Sequence, residues 1–506
     1  MLRKIRITLA AVMMVLVTLL FLDLSGVLHH WLGWTAQIQF LPAVLALNVV
    51  VIVALVLLTL IFGRIYCSVI CPLGIFQDIV SWIHGRRKKA RFTASPERRW
   101  LRYSVLVLFV AALVAGIHAF VALLAPYSSY GRMVTNLLQP LYQWGNNLCA
   151  YFAERADSYA FYSVDVWMKS LPTFIVAAVT FIVIVVLAWR GGRTYCNTIC
   201  PVGTFLSFIS RFSLLKVHFD TDKCKSCGQC TRNCKASCID FKTHKVDYSR
   251  CVVCGDCLTK CKLDALHYGF RKPAGKPVAP APVEGDQPAE GETPTADTTR
   301  RALLVGGAIM CADAALGQAK KKVDGGLAAI EDKVPAKRKT PIIPPGAQTA
   351  KHFYDHCTAC QLCVSKCPNG VLRPSTDPEH FMQPELSFER GACRPECTIC
   401  SEVCPTGAIL PITVPEKSST VIGHAVWVKA NCLVLKHKHA HCGNCARHCP
   451  AGAIMMTPSD PNDDLSPMVP AVNAAMCIGC GTCEYVCPVR PYSAIYVEGH
   501  EAQREI

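Results

Sequence analysis

Cys477-Ile478-Gly479-Cys480-Gly481-Thr482-Cys483-Glu484-Tyr485-Val486-Cys487-Pro488 is the stretch on which the reading of this chain turns. Its first three cysteines are each separated by two residues, and a fourth follows after three more, ahead of a proline. Three thiolates that close can wrap one iron–sulfur cube, whereas the fourth cannot bend back to it and reaches a neighbouring cube instead. A second such run is therefore needed, and the chain supplies it. Cys432, Cys442, Cys445 and Cys449-Pro450 lie just upstream, preceded by Cys393, Cys397, Cys400 and Cys404-Pro405, and by Cys357, Cys360, Cys363 and Cys367-Pro368. Two further runs lie nearer the N-terminus: Cys224, Cys227, Cys230, Cys234 and Cys251, Cys254, Cys257, Cys261.

Exchanging the fourth cysteine within each pair of runs predicts six [4Fe–4S] ligand sets. They are Cys224, Cys227, Cys230 with Cys261; Cys251, Cys254, Cys257 with Cys234; Cys357, Cys360, Cys363 with Cys404; Cys393, Cys397, Cys400 with Cys367; Cys432, Cys442, Cys445 with Cys487; and Cys477, Cys480, Cys483 with Cys449. Disulfides or zinc sites would have to imitate this spacing repeatedly. The runs absorb 24 of the 31 cysteines. Of the rest, Cys238 reads as a small apolar residue beneath a cluster, and Cys149 and Cys311 read as inert. His437, His439 and His441 read as a solvated loop insertion, with metal or partner binding as the alternative.

The N-terminal part is of another kind. Hydrophobic residues make up 52% of the 506-residue chain and charged residues 17%, with a mean hydropathy of +0.30. That balance excludes a disordered or purely soluble chain. Four apolar runs, roughly 6–22, 41–62, 103–124 and 171–189, read as long enough to span a bilayer, which needs about 20 residues. Arg3, Lys4 and Arg6 precede the first, and the connection 23–40 has no Lys or Arg. The connection 63–102 is strongly basic, 125–170 is nearly free of Lys and Arg, and Arg190, Arg193 and Arg211 follow the fourth run. This bias places both ends of the four-helix unit in the cytoplasm. The net charge of +16 and the basic cluster at 86–91 are then a topology signal, and no nucleic-acid partner is expected.

The membrane part also repeats. Gly63-Arg64-Ile65-Tyr66-Cys67-Ser68-Val69-Ile70-Cys71-Pro72-Leu73-Gly74 recurs as Gly192-Arg193-Thr194-Tyr195-Cys196-Asn197-Thr198-Ile199-Cys200-Pro201-Val202-Gly203, with eight identities in twelve. Parallel repeats related by an axis along the membrane normal would bring Cys67, Cys71, Cys196 and Cys200 to one depth, a complete ligand set for a seventh metal or cluster. The alternative is two structural turns fixed by proline and glycine. These thiols are the candidate redox or metal-handling groups, and the catalytic and quinol-binding residues stay unassigned.

Residues 272–299 carry six prolines and five acidic residues and read as a flexible tether. Arg300 and Arg301 then precede an apolar stretch ending at Gly317 and Ala319, the pattern of a twin-arginine export signal or an anchor. Lys320, Lys321 and Lys322 beyond it oppose the positive-inside bias. The expected organisation is a membrane domain over 1–215, a cysteine module over 216–271, the tether 272–299, the signal or anchor 300–319, and a four-cluster domain over 320–506 with modules at 350–411 and 425–499.

The membrane repeat with its Cys-x-x-x-Cys-Pro motifs, followed by Cys224–Cys261, resembles NapH, the membrane ferredoxin subunit of quinol dehydrogenases serving periplasmic nitrate reductase. Residues 300–499 resemble NapG and MauM, the exported four-cluster ferredoxins. The likeness includes Pro344-Pro345-Gly346-Ala347, the Cys393-x-x-x-Cys397 spacing and the wide gap from Cys432 to Cys442. Lys235 and Lys262 depart from the pattern, standing where proline would follow the fourth cysteine. The chain thus looks like a NapH–NapG fusion. The resemblance implies a membrane α-helical fold, four transmembrane helices plus a signal or anchor segment, with α+β bacterial-type 2[4Fe–4S] ferredoxin modules.

It further implies a multi-pass protein of the bacterial inner membrane, its first module cytoplasmic and its C-terminal domain periplasmic. As the electron-transfer component of a quinol dehydrogenase, it would draw on the quinol pool and pass electrons to a periplasmic cytochrome or molybdenum reductase. The rival expectation is a redox or metal-handling factor that assists assembly of a respiratory oxidase or reductase. No Cys-x-x-Cys-His haem motif and no Gly-x-Gly-x-x-Gly nucleotide motif occurs. One difficulty follows from the expected topology: two clusters inside and four outside would be separated by about 30 Å of hydrocarbon.

Overall fold

The computed structural model describes every residue except 1, 24–25, 87–91, 271–322, 325–327, 330, 438–440 and 464–465. The tether, the paired Arg300 and Arg301, Cys311 and His439 lie outside the described residues. Met1–Arg271 and Pro335–Ile506 together form one compact unit, and Lys272–Val334 forms a second. Of that second unit an antiparallel pair of two-residue strands, Val323–Asp324 and Ala328–Ala329, is described.

In the first unit, the helix Leu2–Leu22 buries Arg6, Ala10, Met13, Val17, Leu20 and Phe21, a stripe with helical spacing. The opposite face exposes Ile5, Leu9, Val12, Val15 and Leu19. The helix Leu171–Gly191 repeats the arrangement, burying Thr173, Ala177, Ile184 and Ala188 and exposing Leu171, Ile175, Val179, Ile182 and Val186. An outward face made of large aliphatic side chains is a surface that water does not favour. Among the described residues these two helices, each of 21 residues, are the ones long and apolar enough to cross a membrane.

Two of the four apolar runs are not continuous helices. The run 41–62 is divided into Phe40–Leu45 and Val49–Phe62. Leu47 takes a positive φ of 52°, and the Asn48 side chain accepts the Val51 amide at 3.2 Å, capping a fresh helix. The run 103–124 is divided into Arg99–Val114 and His118–Leu124, with Gly116 at φ 75° supplying the turn. Hydropathy averages over such breaks because the flanking residues remain apolar.

The connection 125–170 holds a feature that its hydropathy did not announce. Pro126–Met133 is a helix with all eight residues buried. It continues through a π-helical turn, Val134–Leu138, into Gln139–Arg155. The segment is a core element and not a surface loop.

The cysteine runs fold as short helices and small antiparallel ladders. In the first module Leu215–Phe219 pairs with Leu266–Phe270, with short helices at Gln229–Arg232 and Asp256–Lys260. In the C-terminal part Leu372–Pro374 pairs with Pro384–Leu386, Ile454–Pro458 with Met468–Val472, and Thr420–Trp427 with Ile495–Glu505.

The helix Leu2–Leu22 is pinned at both ends. Arg3 pairs with Asp256 of the first module at 2.7 Å. Just past the other end, Asp23 pairs with Lys366 at 2.7 Å, and both side chains are fully buried. Twenty-one residues rise about 30 Å, so the first module and the C-terminal modules meet opposite ends of this helix.

Candidate iron–sulfur centres

Four cavities in the C-terminal part are each lined by four cysteines. Cys357, Cys360, Cys363 and Cys404 line one, and Cys367, Cys393, Cys397 and Cys400 another. Cys432, Cys442, Cys445 and Cys487 line a third, and Cys449, Cys477, Cys480 and Cys483 the fourth. Every group thus draws three thiols from one run and the fourth from its neighbour. The remaining lining is apolar: Leu362, Ile409, Val371, Leu386, Val489 and Val497 among others. Such surroundings exclude water and suit a thiolate-bound cube.

In the first module Cys257 lies in electrostatic reach of Cys254, Cys251, Cys234 and Cys230, and Cys230 in reach of Cys224. Burial pushes the Cys257, Cys363 and Cys483 thiols well up, and neighbouring cysteines push them further. Loading with iron must therefore release protons. Cys238 is buried, and its sulfur stands 3.5 Å from that of Cys234. Cys149 is exposed on the helix Gln139–Arg155. Lys417 is buried and its charge faces Cys393. Lys169, pushed down to about 8 by burial, faces Cys367 and Cys363.

The two Cys-x-x-x-Cys-Pro motifs come together. Cys67, Cys71, Cys196 and Cys200 are all buried. Cys200 faces Cys196, Cys71 and Cys67, and Cys71 faces Cys196 and Cys67. The residues that hold them are ones the sequence reading passed over. Arg64 of the first motif donates to the Cys196 carbonyl at 3.0 Å and to Asn197 Oδ1 at 2.9 Å. Arg193 of the second donates to the Cys67 carbonyl and to Asp78 Oδ1 at 2.9 Å. Each arginine is fully buried and is exchanged into the other copy.

A Cβ on Gly74 would collide with the Cys67 carbonyl and press on Arg193, and one on Gly203 would collide with the Cys196 carbonyl and Arg64. The glycines of the repeat thus leave room for the exchanged arginines. Tyr66 and Tyr195 are related in the same way. Tyr66 Oη donates to Gln39 Oε1 at 3.1 Å, and Tyr195 Oη donates to the Leu124 carbonyl at 2.9 Å. The signal for all of this was present in the repeat, since Gly-Arg-x-Tyr precedes both cysteine pairs.

The geometry can be set beside known proteins. Family models described as a 4Fe-4S binding domain match residues 44–91 and 173–220, the two halves of the N-terminal repeat. Others described as a 4Fe-4S dicluster domain match 356–409 and 440–490. The methylamine utilization ferredoxin-type protein MauM of Paracoccus denitrificans is 33% identical over 160 residues, which is 31% of this chain and 70% of that protein. The chain belongs to the MauM ferredoxin-type family. MauM of Methylobacillus flagellatus is 35% identical over 157 residues, 30% of this chain and 66% of that protein, so the chain spans just under two thirds of that relative. The ferredoxin-type protein NapF of Escherichia coli is 29% identical over 165 residues, 32% of this chain and 90% of that protein. The chain is an iron–sulfur electron-transfer protein with several [4Fe–4S] clusters, related to the Mau and Nap ferredoxin-type proteins.

Proposed function

We propose that this chain is an inner-membrane component that takes electrons from quinol and passes them through six [4Fe–4S] clusters toward a periplasmic reductase system of the nitrate-reductase type. The N-terminal half takes a NapH-like role and the C-terminal part a NapG-like one. Four apolar segments cross the membrane, two of them broken, with the first module in the cytoplasm and residues 335–506 in the periplasm. The observation that carries this reading is the helix Leu2–Leu22. It is as long as the hydrocarbon core is thick, is faced with aliphatic side chains, and carries a thiol-rich module at each end.

When bound, the clusters supply one-electron redox capacity; the protein supplies spacing, burial and charge. Lys417 beside Cys393 and Lys169 beside Cys367 favour the more negative, reduced state of that set. The partly exposed Cys224 and the exposed Cys227 of the first module leave their set open to solvent. The protein therefore holds its sets in unlike surroundings, as a chain of carriers between a donor and an acceptor requires.

The test joins topology to content. Reporters fused after Phe270 and after Gly499 should read cytoplasmic and periplasmic, and protein purified without air should contain at least about 24 iron with matching sulfide. Both reporters on one side, or about 12 iron with bound zinc, would overturn the proposal.

A further inference from the structure

We propose that Cys67, Cys71, Cys196 and Cys200 hold a further iron–sulfur cluster, and that this centre is the middle station joining the thiol set of Cys234 to that of Cys360, so that the chain alone carries electrons across the membrane. The inference rests on the electron-transfer reading above.

The four thiols are buried and mutually facing, and polar hydrogens are aimed at them. Gln77 Nε2 donates to Cys196 Sγ at 3.2 Å, and the Gly203 amide donates to Cys200 Sγ at 3.3 Å. Four thiolates around a dicationic core carry a net charge of about −2, which the buried Arg64 and Arg193 offset.

On the first-module side the motifs touch the loops that carry the set of Cys234, Cys251, Cys254 and Cys257. The Arg193 amide donates to the Lys235 carbonyl at 2.8 Å, and Asn197 Nδ2 to that of Ala236 at 3.2 Å. Arg64 Nη1 donates to the Ser249 carbonyl at 3.0 Å. A Cβ on Gly192 would collide with Lys235, so the backbones there are in direct contact.

On the other side the buried helix Pro126–Met133 meets the loop that carries Cys357, Cys360 and Cys363. A Cβ on Gly131 would collide with the Cys360 carbonyl. Arg132, fully buried, donates to the Ala359 carbonyl at 3.4 Å and faces both Tyr195 and Cys360. Tyr195 in turn faces Cys200, Cys196 and Cys71. Asn136 and Gln139 extend the docking to Gln361 at 2.8 Å and the Ser365 carbonyl at 3.1 Å. One backbone contact on the first side, and Tyr195 with Arg132 on the second, separate the middle thiols from the two neighbouring sets. The 30 Å gap in the expected topology is thereby divided into shorter steps. Each step moves one electron, with no bond made or broken.

The experiment uses the full chain in sealed lipid vesicles, ferricyanide trapped inside and dithionite added outside. Molecules whose first module faces outward should oxidise dithionite and reduce the trapped ferricyanide, one electron per ion. The wild type should contain about 28 iron. Cys71→Ser/Cys200→Ser should lose about four iron together with the transmembrane reduction. Gly131→Leu, which changes no thiol, should keep its iron and its paramagnetic resonance signals while losing the reduction. If that variant does not fold, Asn136→Leu/Gln139→Leu serves the same purpose. Wild-type protein with about 24 iron, or the double cysteine variant reducing trapped ferricyanide at the wild-type rate, would overturn this proposal and leave the six-cluster reading standing. About 12 iron in the wild type would overturn both.

Discussion

Asp78→Asn removes one charge from a point where three parts of the protein are tied. Asp78 Oδ2 lies 2.8 Å from Arg6 Nη1 of the first helix and 2.8 Å from Arg193 Nη2 of the second motif. Lys235 Nζ of the first module approaches Oδ1 to 3.7 Å. Both arginines are buried, Arg193 completely, so an asparagine would leave them facing a neutral group. Removing one partner of a buried ion pair costs about 3–5 kcal/mol. At about 1.4 kcal/mol per factor of ten, the local opening equilibrium should shift about a thousandfold. The Arg193 amide, bonded to the Lys235 carbonyl, reports that opening, and its hydrogen exchange should accelerate to match. Acceleration of less than about tenfold would refute the reasoning.

The acid limb of the wild type follows. Burial raises the Asp78 carboxyl, but Arg193, Lys235 and Arg6 outweigh it and hold the group well below the usual carboxylate range. A depressed value stabilises the fold above the unfolded pKa, and that stabilisation is lost only as the pH falls through the depressed value. Between about pH 8 and pH 5, opening at Arg193 should be flat once intrinsic exchange is allowed for.

Two more substitutions bear on the docking and on one thiol set. Lys366→Met leaves Asp23 buried, with the Gly26 and Leu28 amides still bonded to its carboxylate, so the cost should sit near the lower bound of about 3 kcal/mol. The C-terminal modules should become protease-sensitive where they meet the first helix, with iron content unchanged; wild-type resistance would refute the role of the pair. Gly481→Ala would drive a methyl into the ring of Phe388, which is fully buried, at a position with φ 76°. It should cost about 1–3 kcal/mol and loosen the set of Cys477, Cys480, Cys483 and Cys449; an unaltered melting temperature and iron content would refute the packing argument.

Part of this was legible in the chain before any coordinates. The cysteine spacing and the twofold Gly-Arg-x-Tyr-Cys motif are local signals, and each constrains where its own thiols can go. The long apolar runs are likewise local, but their averages hide the capping by Asn48 and the turn at Gly116. What escaped the reading was relational. Arg64 looks like a positive-inside flank residue, yet it is fully buried against the second copy of its own motif. Residues 126–133 look like an extramembrane connection because Tyr127, Ser128, Ser129 and Arg132 are polar, and their burial comes from packing between distant parts of the chain, the helices Leu2–Leu22 and Leu171–Gly191 and the Cys360 loop among them. Lys366 and Asp23 are 343 positions apart, beyond the reach of any spacing argument.

That separation governs the order in which the molecule can be completed. The helix Leu2–Leu22 is made before the residues that pin its two ends, since Asp256 and Lys366 lie 253 and 343 positions after their partners. Contacts this distant form late, since the intervening chain must be closed into a loop before they repay its entropy. Docking also presses Gly131 and Arg132 onto the backbone around Cys360, which covers that thiol set from the side of the helix Pro126–Met133. A helix made early thus waits on contacts made late, and a thiol set that docking closes is reached most readily before the C-terminal modules settle on that helix.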